Sequence, residues 1–394
     1  MLRSLYSGIS GLRAHQTMLD VTGNNIANVN TAGFKSSTVQ FQDTLSQVAR
    51  SGSAAQAQAG GTNPAQVGLG VQVAGISTNF SQGSAQATGR SSDMMISGDG
   101  FFITAKGGEQ LYARAGSFDF DSQGRLVSPD GALLQGWSAV NGVVNTGAGL
   151  GNISISKQMV SDASRTTSAT LGGNLPDDAI AGTVQTRDMK VFDDAGNPRN
   201  VSLTFTRTGT GWDVTGADTN APGGAATGAT ALTFTNGALT GGGTMNIGGL
   251  SVNMGAVTGF AQMSTLAVTA TDGSAAGTLD SFSMGTDGTL TGTFSNGGNM
   301  VIGRIALANF TNAGGLEKAG SSSYRATASS GAAAVGTAGS NGLGSLASGY
   351  VEMSNVDLSQ EFTNLIVAQR GFQSNARIIT TSDEVLQELT QLKR

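Results

Sequence analysis

The sequence predicts an α+β protein, mainly β, with N- and C-terminal helices forming a coiled-coil-like core domain and two nested β-rich outer domains. Three observations carry that prediction. Both ends of the 394-residue chain hold apolar stripes at helical spacing. From Val71 the pattern changes to period two, interrupted by Gly-containing turns about every ten residues. Stretches rich in Gly, Ser and Ala separate the ends from the middle.

At the N-terminus, Leu2, Leu5, Ile9, Leu12, Leu19 and Ile26 recur at spacings of three, four or multiples of seven, which places them on one narrow helical stripe. Gln16 and Gly23 occupy two stripe positions, so the seam is weak. At the other end, Leu358, Phe362, Leu365, Phe372, Ala376, Ile379, Leu386 and Leu389 make a second stripe, interrupted by Gln369 and Asp383. Seams this thin bury little, and isolated helices are marginal without packing partners. The ends are therefore expected to need neighbouring copies. An ordinary antiparallel helix pair packed on its own domain is the equal alternative. Gly23, Asn24, Asn25 and Asn28 are poor helix formers whose cost must be offset by packing or side-chain hydrogen bonds. Gly33 reads as a left-handed stop, with Phe34 folding back as an apolar plug.

The rest follows in chain order. Residues 41–70, rich in Gln, Ala, Ser and Gly and containing Pro64, read as an extended connector. Residues 71–145 read as a β-rich domain, with Val71, Val73, Phe101, Ile103, Phe118, Phe120 and Val127 in short runs between Gly98-Asp-Gly, Lys106-Gly-Gly, Asp121-Ser-Gln-Gly and Pro129-Asp-Gly turns. Residues 146–280 read as an inserted outer β domain. A hairpin over Val191–Asn197 and Val201–Phe205 is expected there, with Trp212 capping a small core, an Asn236-Gly237 turn, and loops at Gly223 to Ala231 and Gly241 to Gly243. Residues 281–330 return to the first β domain through Asp287-Gly288 and Asn296-Gly297 turns, and 331–349 form a second connector. The helical core domain is thus 1–40 with 350–394.

Composition removes several function classes. A formal net charge of −5 with no basic face leaves nothing to neutralise phosphates, so nucleic acid is excluded as a partner, as is a membrane surface bound through a polybasic patch. No apolar run approaches the ~20 residues of a membrane span. There is no cysteine, hence no disulfide or thiolate chemistry. The start lacks the apolar core and cleavage site of a signal peptide, so an exported chain must use a route that reads an uncleaved segment.

Catalytic constellations are equally sparse. His15 is the only histidine and sits on a helix beside the seam, which leaves no metal cluster or Ser-His triad. Asp193, Asp194 and Asn197, and Asp287 beside Gly288, lack the calcium-loop spacing and fit turn chemistry. The run from Gly68 to Gly75 is followed by strand-like alternation, unlike a dinucleotide loop. The expectation is a protein without catalytic residues, cofactors or bound metal.

Two terminal signatures carry a family resemblance. Gly23-Asn-Asn-Ile-Ala-Asn28 followed by Thr31-Ala-Gly-Phe-Lys35, and the run Ser354 to Asn375, resemble the matching ends of the bacterial flagellar axial proteins, which comprise rod, hook and hook-associated proteins. Asp93–Phe102 and Tyr112–Phe118 resemble β-domain segments of the same family, and Gly303–Phe310 and Gly314–Glu317 resemble the closing strand and loop of its hook branch. The resemblance implies a structural subunit that polymerises into a flexible hollow tube coupling the motor's rod to the filament and transmitting torque. It implies an extracellular location, export without a cleaved signal peptide, and as partners further copies of the chain, the distal rod protein, a hook cap, a hook–filament junction protein and the export gate. The subunit-packing residues it points to are the stripe positions together with Asn24, Asn25, Asn28, Gln369, Arg370 and Asn375. Phe41-Gln-Asp-Thr-Leu45 is similar to the element by which hook-type subunits engage the export gate; read without the family, Phe41 and Leu45 are neighbours on one helical turn.

Two other readings compete. A connector of rod-like length favours a distal rod subunit, whereas the large insert disfavours it. A secreted β-rich adhesin or binding module suits the Gly/Thr/Ala-rich middle, but no fixed repeat period is visible there.

Overall fold

The fold is mainly β with one helix at each end, seen in a computed structural model that describes residues 2–56, 60–156, 158–218 and 227–391. Helix α1 spans Leu2–Ala27 and helix α2 spans Leu358–Gln391. Helix α1 gives way to turns where Asn28 turns its side-chain amide back onto the Asn24 carbonyl (2.9 Å). Gly33 follows at φ +68°, and a Cβ there would meet the Ala115 backbone at 2.3 Å, so conformation and space both demand glycine. Helix α2 begins at Leu358, the first residue of the C-terminal stripe, and ahead of it Tyr350–Glu352 is a strand paired with Ala85–Ala87. Its start is fixed by Asp357, whose carboxylate accepts from the Ser359 and Gln360 amides at 2.8 and 3.2 Å. Glu361 in the first turn adds a favourable charge at the positive end of the helix.

The chain forms two compact units. The first comprises Met1–Ile155, Met284–Leu290 and Val301–Arg394. Its β part is an antiparallel sheet in which Leu133–Val140 pairs Phe101–Lys106, that strand pairs Glu109–Ala113, and Ser323–Arg325 and Glu317–Gly320 continue the series. The Gly107-Gly108 turn, both residues at positive φ, supplies the tight hairpin that two-residue connections require. Strand Asn299–Asn309 lies beside Leu133–Val140, with Gly136 opposite Ile305. One face buries an aromatic cluster of Phe101, Tyr112, Trp137, Phe310 and Tyr324. Within it Tyr112 and Phe310 meet edge to face at 4.7 Å, a geometry that favours the ring quadrupoles.

The stretches expected as connectors carry strands. Ser37–Asp43 pairs Val71–Thr78, and Ser46–Arg50 pairs Ala65–Gly68 in a ribbon whose residues are all exposed. Ala334–Thr337 joins Asn299–Asn309, and Ser345–Ser348 pairs Met94–Ser97. Backbone polar groups need partners whatever their side chains, and runs of small residues hide the alternation that marks a strand.

The second unit comprises Ser156–Ser283 and Thr291–Met300. Its sheet runs through Val184–Phe192, Pro198–Arg207, Gly211–Asp218, Thr230–Thr235, Ala238–Gly241, Leu250–Thr258, Ser168–Asn174 and Ala267–Thr271. One pair in this series, Ser168–Asn174 with Leu250–Thr258, is parallel. The ends of the series return toward each other: Arg187 Nε donates to the Leu266 carbonyl at 2.9 Å, and the Ser264 hydroxyl to Gln185 at 3.0 Å. The core is sealed around Trp212, Phe205, Leu203, Val201, Val214 and Leu232, all about 1% exposed or less. Asn236 and Gly237, at φ +53° and +80°, make the expected turn. Of the loop expected at Gly223 to Ala231, residues 223–226 lie outside the described residues, and Ala231 belongs to a strand.

Candidate functional site

Helices α1 and α2 pack against one another within the chain, and their closest approach is made by small residues. A Cβ added at Gly11 would lie 2.8 Å from the Asn375 amide nitrogen, and one at Gly371 would lie 2.5 Å from the His15 ring. Ala14 and Ala368 are buried at 4% and 0% exposure. Small side chains let two backbones approach closely and gain dispersion contacts along their length. His15, expected as a polar residue on the helix face, instead fits into the space left by Gly371, with its ring centroid 5.9 Å from that of Phe41.

The large apolar residues of the two stripes are left short of burial. Leu5, Ile9, Leu12, Leu19 and Ile26 on α1 are half-buried, as are Leu365, Phe372, Ala376 and Ile379 on α2. Leu358, Phe362 and Leu386 are exposed, Phe362 at 52%. Ile366 and Val367, which the seven-residue pattern passed over, are 50% and 53% exposed and widen the apolar face. The side chains of Leu2 and Leu389 lie outside the described residues.

The polar positions divide. Asn25 is buried and joins three segments: it donates to the Ser37 carbonyl (2.8 Å) and to Glu361 of α2 (3.1 Å), and accepts from the Ser37 amide (3.0 Å). Asn28, just past α1, donates to the Asn24 side chain, and Asn375 donates to the Gly371 carbonyl of its own helix. Gln369 and Arg370 are exposed. Phe41 lies in a strand and Leu45 just past it, 85% exposed, so the one-helical-turn reading of that pair does not hold.

Beside Asn25 lies a buried ionic joint. Lys35 Nζ donates to Glu352 Oε1 at 2.6 Å and to the Ser81 carbonyl at 2.7 Å, and both charged side chains are fully buried. Arg114 reaches the other carboxylate oxygen at 3.5 Å and lies 5.3 Å over the Phe101 ring. Burial pushes Lys35 below its ordinary pKa, against the opposing pull of Glu352. The Gly83 amide donates to the same carboxylate, and the Gly33 amide to the Glu352 carbonyl, each at 2.8 Å. Asn355 completes the joint by accepting from the Ser36 amide and donating to the Asn79 carbonyl. The joint ties the turn after α1, the segment at 79–83 and the lead-in to α2. Sequence reasoning missed it, although Lys35 closes the N-terminal signature and Glu352 stands two residues before the C-terminal one.

The arrangement is a two-helix platform with a partly uncovered apolar face, beside a desolvated ionic joint. Among the described residues no three His, Asp or Glu side chains gather as a metal site, and no helix is long and apolar enough to cross a membrane.

Comparison with known proteins gives three family matches. Residues 5–35 match "Flagella basal body rod protein", residues 95–168 match "Flagellar hook protein FlgE/F/G D1 domain", and residues 347–392 match "Flagellar basal body rod FlgEFG protein C-terminal". The flagellar hook protein FlgE of Borreliella burgdorferi is 38% identical over 445 residues, covering 100% of both chains. That of Escherichia coli is 37% identical over 418 residues, covering 98% of both. The flagellar basal-body rod protein FlgG of Bacillus subtilis is 36% identical over 395 residues, also covering 100% of both.

Proposed function

The chain belongs to the flagellar hook protein FlgE family, as a structural subunit of the hook, and we propose that it assembles there by packing its terminal helices against those of neighbouring copies. The observation that carries this is the half-exposed row of large apolar side chains flanking a small-residue contact between α1 and α2. A row of Leu, Ile and Phe left in water forfeits roughly 25 cal/mol for every Å² of apolar surface that a neighbour could cover. In the polymer the helices form a coiled-coil-like core lining a channel, and the tube is flexible and carries torque from the rod to the filament. Residues 146–280 are an insertion nested in the β-rich domain of 71–145 and 281–330. The assembled tube meets the distal rod protein, a hook cap and a hook–filament junction protein. The chain reaches its extracellular place through the export gate, and the exposure of Phe41 and Leu45 supports their recognition by that gate. End-to-end identity with hook proteins leaves the rod and adhesin readings unfavoured.

Negative-stain microscopy of the purified full-length chain tests assembly. Tubes at high protein concentration are expected. A chain that remains monomeric there, with both helices fully formed by circular dichroism, would mean that α1 and α2 satisfy each other and would sink the proposal.

A further inference from the structure

A cavity of about 240 Å³ opens beside the last turn of α1, lined by Asn24, Asn28, Thr31, Lys318, Ser321 and Ser322 among others. Lys318 is the only charged residue in this lining. Its ammonium donates to the Ser37 hydroxyl at 2.8 Å and lies 5.3 Å over the Phe34 ring, and no carboxylate among the described residues pairs with it. Burial alone lowers its pKa, without an anion to oppose the shift. The rim is a hairpin turn in which Ser321 and Ser322 stand at φ +51° and +55°. Two consecutive left-handed positions suit Asn-Gly far better than Ser-Ser, so the backbone is held in strain where two hydroxyls border a lone cation.

The complementary charge lies on the same chain, out of its own reach. Asp383, Glu384 and Glu388 are exposed on the last turns of α2, and none is in an ion pair among the described residues. The cavity sits at the opposite end of the helix pair, where Asn24 and Asn28 neighbour Asn25, which holds Glu361 in the first turn of α2. Between Glu361 and Asp383 lies about 33 Å of helix, at 1.5 Å per residue. A carboxylate from that tip can enter only the cavity of another copy.

We infer that the cavity is a carboxylate socket, which receives Asp383, Glu384 or Glu388 from α2 of a second copy in a head-to-tail contact that sets the axial register of the polymer. The inference rests on the polymer reading above. Socket and tip are different surfaces of one subunit, so the contact is heterologous and propagates without closing. Lysine and hydroxyl donors around a carboxylate in a partly desolvated pocket form charge-assisted hydrogen bonds, stronger and more geometrically selective than a surface ion pair.

The test mixes ¹⁴N- and ¹⁵N-labelled full-length chains, lets them assemble, couples amines to carboxylates with a carbodiimide, and identifies the products by mass spectrometry. Lys318 joined to Asp383, Glu384 or Glu388 of the opposite isotope is the expected result. Polymers in which Lys318 stays unlinked, or links only within its own copy, overturn the socket while leaving the polymer reading intact. Chains that sediment as monomers overturn both. A charge-reversal pair sharpens the result: Lys318→Glu should raise the critical assembly concentration at least tenfold, and adding a lysine substitution at the cross-linked carboxylate should restore it. Unchanged assembly of Lys318→Glu counts against the socket.

Discussion

The sheet of the second unit and the helix pair of the first spend their apolar residues differently. In the sheet, Trp212, Phe205 and Leu203 are sealed by strands of their own unit, so burial is complete within one chain. In the helix pair, glycine and alanine occupy the contact, while Leu12, Leu365 and Phe372 stand half-covered. The first arrangement gives a unit that needs no neighbour. The second leaves apolar side chains that the chain itself does not cover, on the face proposed above to meet neighbouring copies. Size of side chain alone does not separate core from interface; what separates them is whether the large residues or the small ones occupy the internal contact.

The strongest way to break this contrast is to replace one large apolar residue on each side of it. Leu365→Asp or Phe372→Asp should abolish tube formation by microscopy while the thermal unfolding of the β-rich units is unchanged; intact tubes would show that the helix face is not an interface. Trp212→Ala should act the opposite way, destabilising the second unit by about 3–5 kcal/mol in urea unfolding. Retained stability there would contradict the sealed core.

The ionic joint belongs with the sealed core by burial, although it lies in the first unit. Lys35→Met leaves Glu352 buried against Arg114 alone, and a loss of roughly 3–5 kcal/mol is expected. Adding Glu352→Leu should cost less than the sum of the two single variants, because both remove the same lysine–glutamate contact, while Arg114 is then left buried without a carboxylate. A double variant as unstable as the sum of the singles would refute that coupling.

Two glycines test the helix contact more finely. Gly371→Ala pushes a methyl group against the His15 ring and should cost about 1–3 kcal/mol, relieved when His15→Ala is added. At Gly23 nothing lies within 4 Å of an added Cβ, so Gly23→Ala should stabilise α1 by roughly 0.5–1 kcal/mol. Equal effects at both sites would mean that the close approach at Gly371 is not used.

The smallest effect expected is electrostatic and confined to the second unit. Asp272 accepts hydrogen bonds from the amides and hydroxyls of Thr167 and Ser168, which outweigh its desolvation and pull its pKa down to about 2. Its folded-state value is depressed, so its stabilisation is fully present above the ordinary carboxylate range and fades as pH falls toward 2. Asp272→Asn should therefore lower the melting temperature at pH 7 and have little effect near pH 2. A pH-independent difference would assign the loss to shape instead of charge.

Much of this was legible in the residues themselves. Helical spacing marked both terminal helices, and Gly33, Gly107-Gly108 and Asn236-Gly237 marked turns, because these signals are local and act through backbone sterics. The terminal signatures and apolar stripes identified the family and the half-covered residues. Which face of α1 meets α2 was decided only in three dimensions: Gly8, Gly11 and Gly371 carry no hydrophobic signal, and a glycine becomes a contact only when a partner such as His15 or Asn375 is placed over it. The strands at Ser37–Asp43, Ser46–Arg50 and Ser345–Ser348 were likewise invisible, since their pairing partners lie elsewhere in the chain and their small or polar side chains carry little alternation. Lys35 and Glu352 stand more than three hundred residues apart, and nothing in either neighbourhood states that they meet. Sequence determined what each segment prefers through local periodicity; the tertiary structure decided which long-range partners satisfy its buried charges and which apolar side chains remain uncovered.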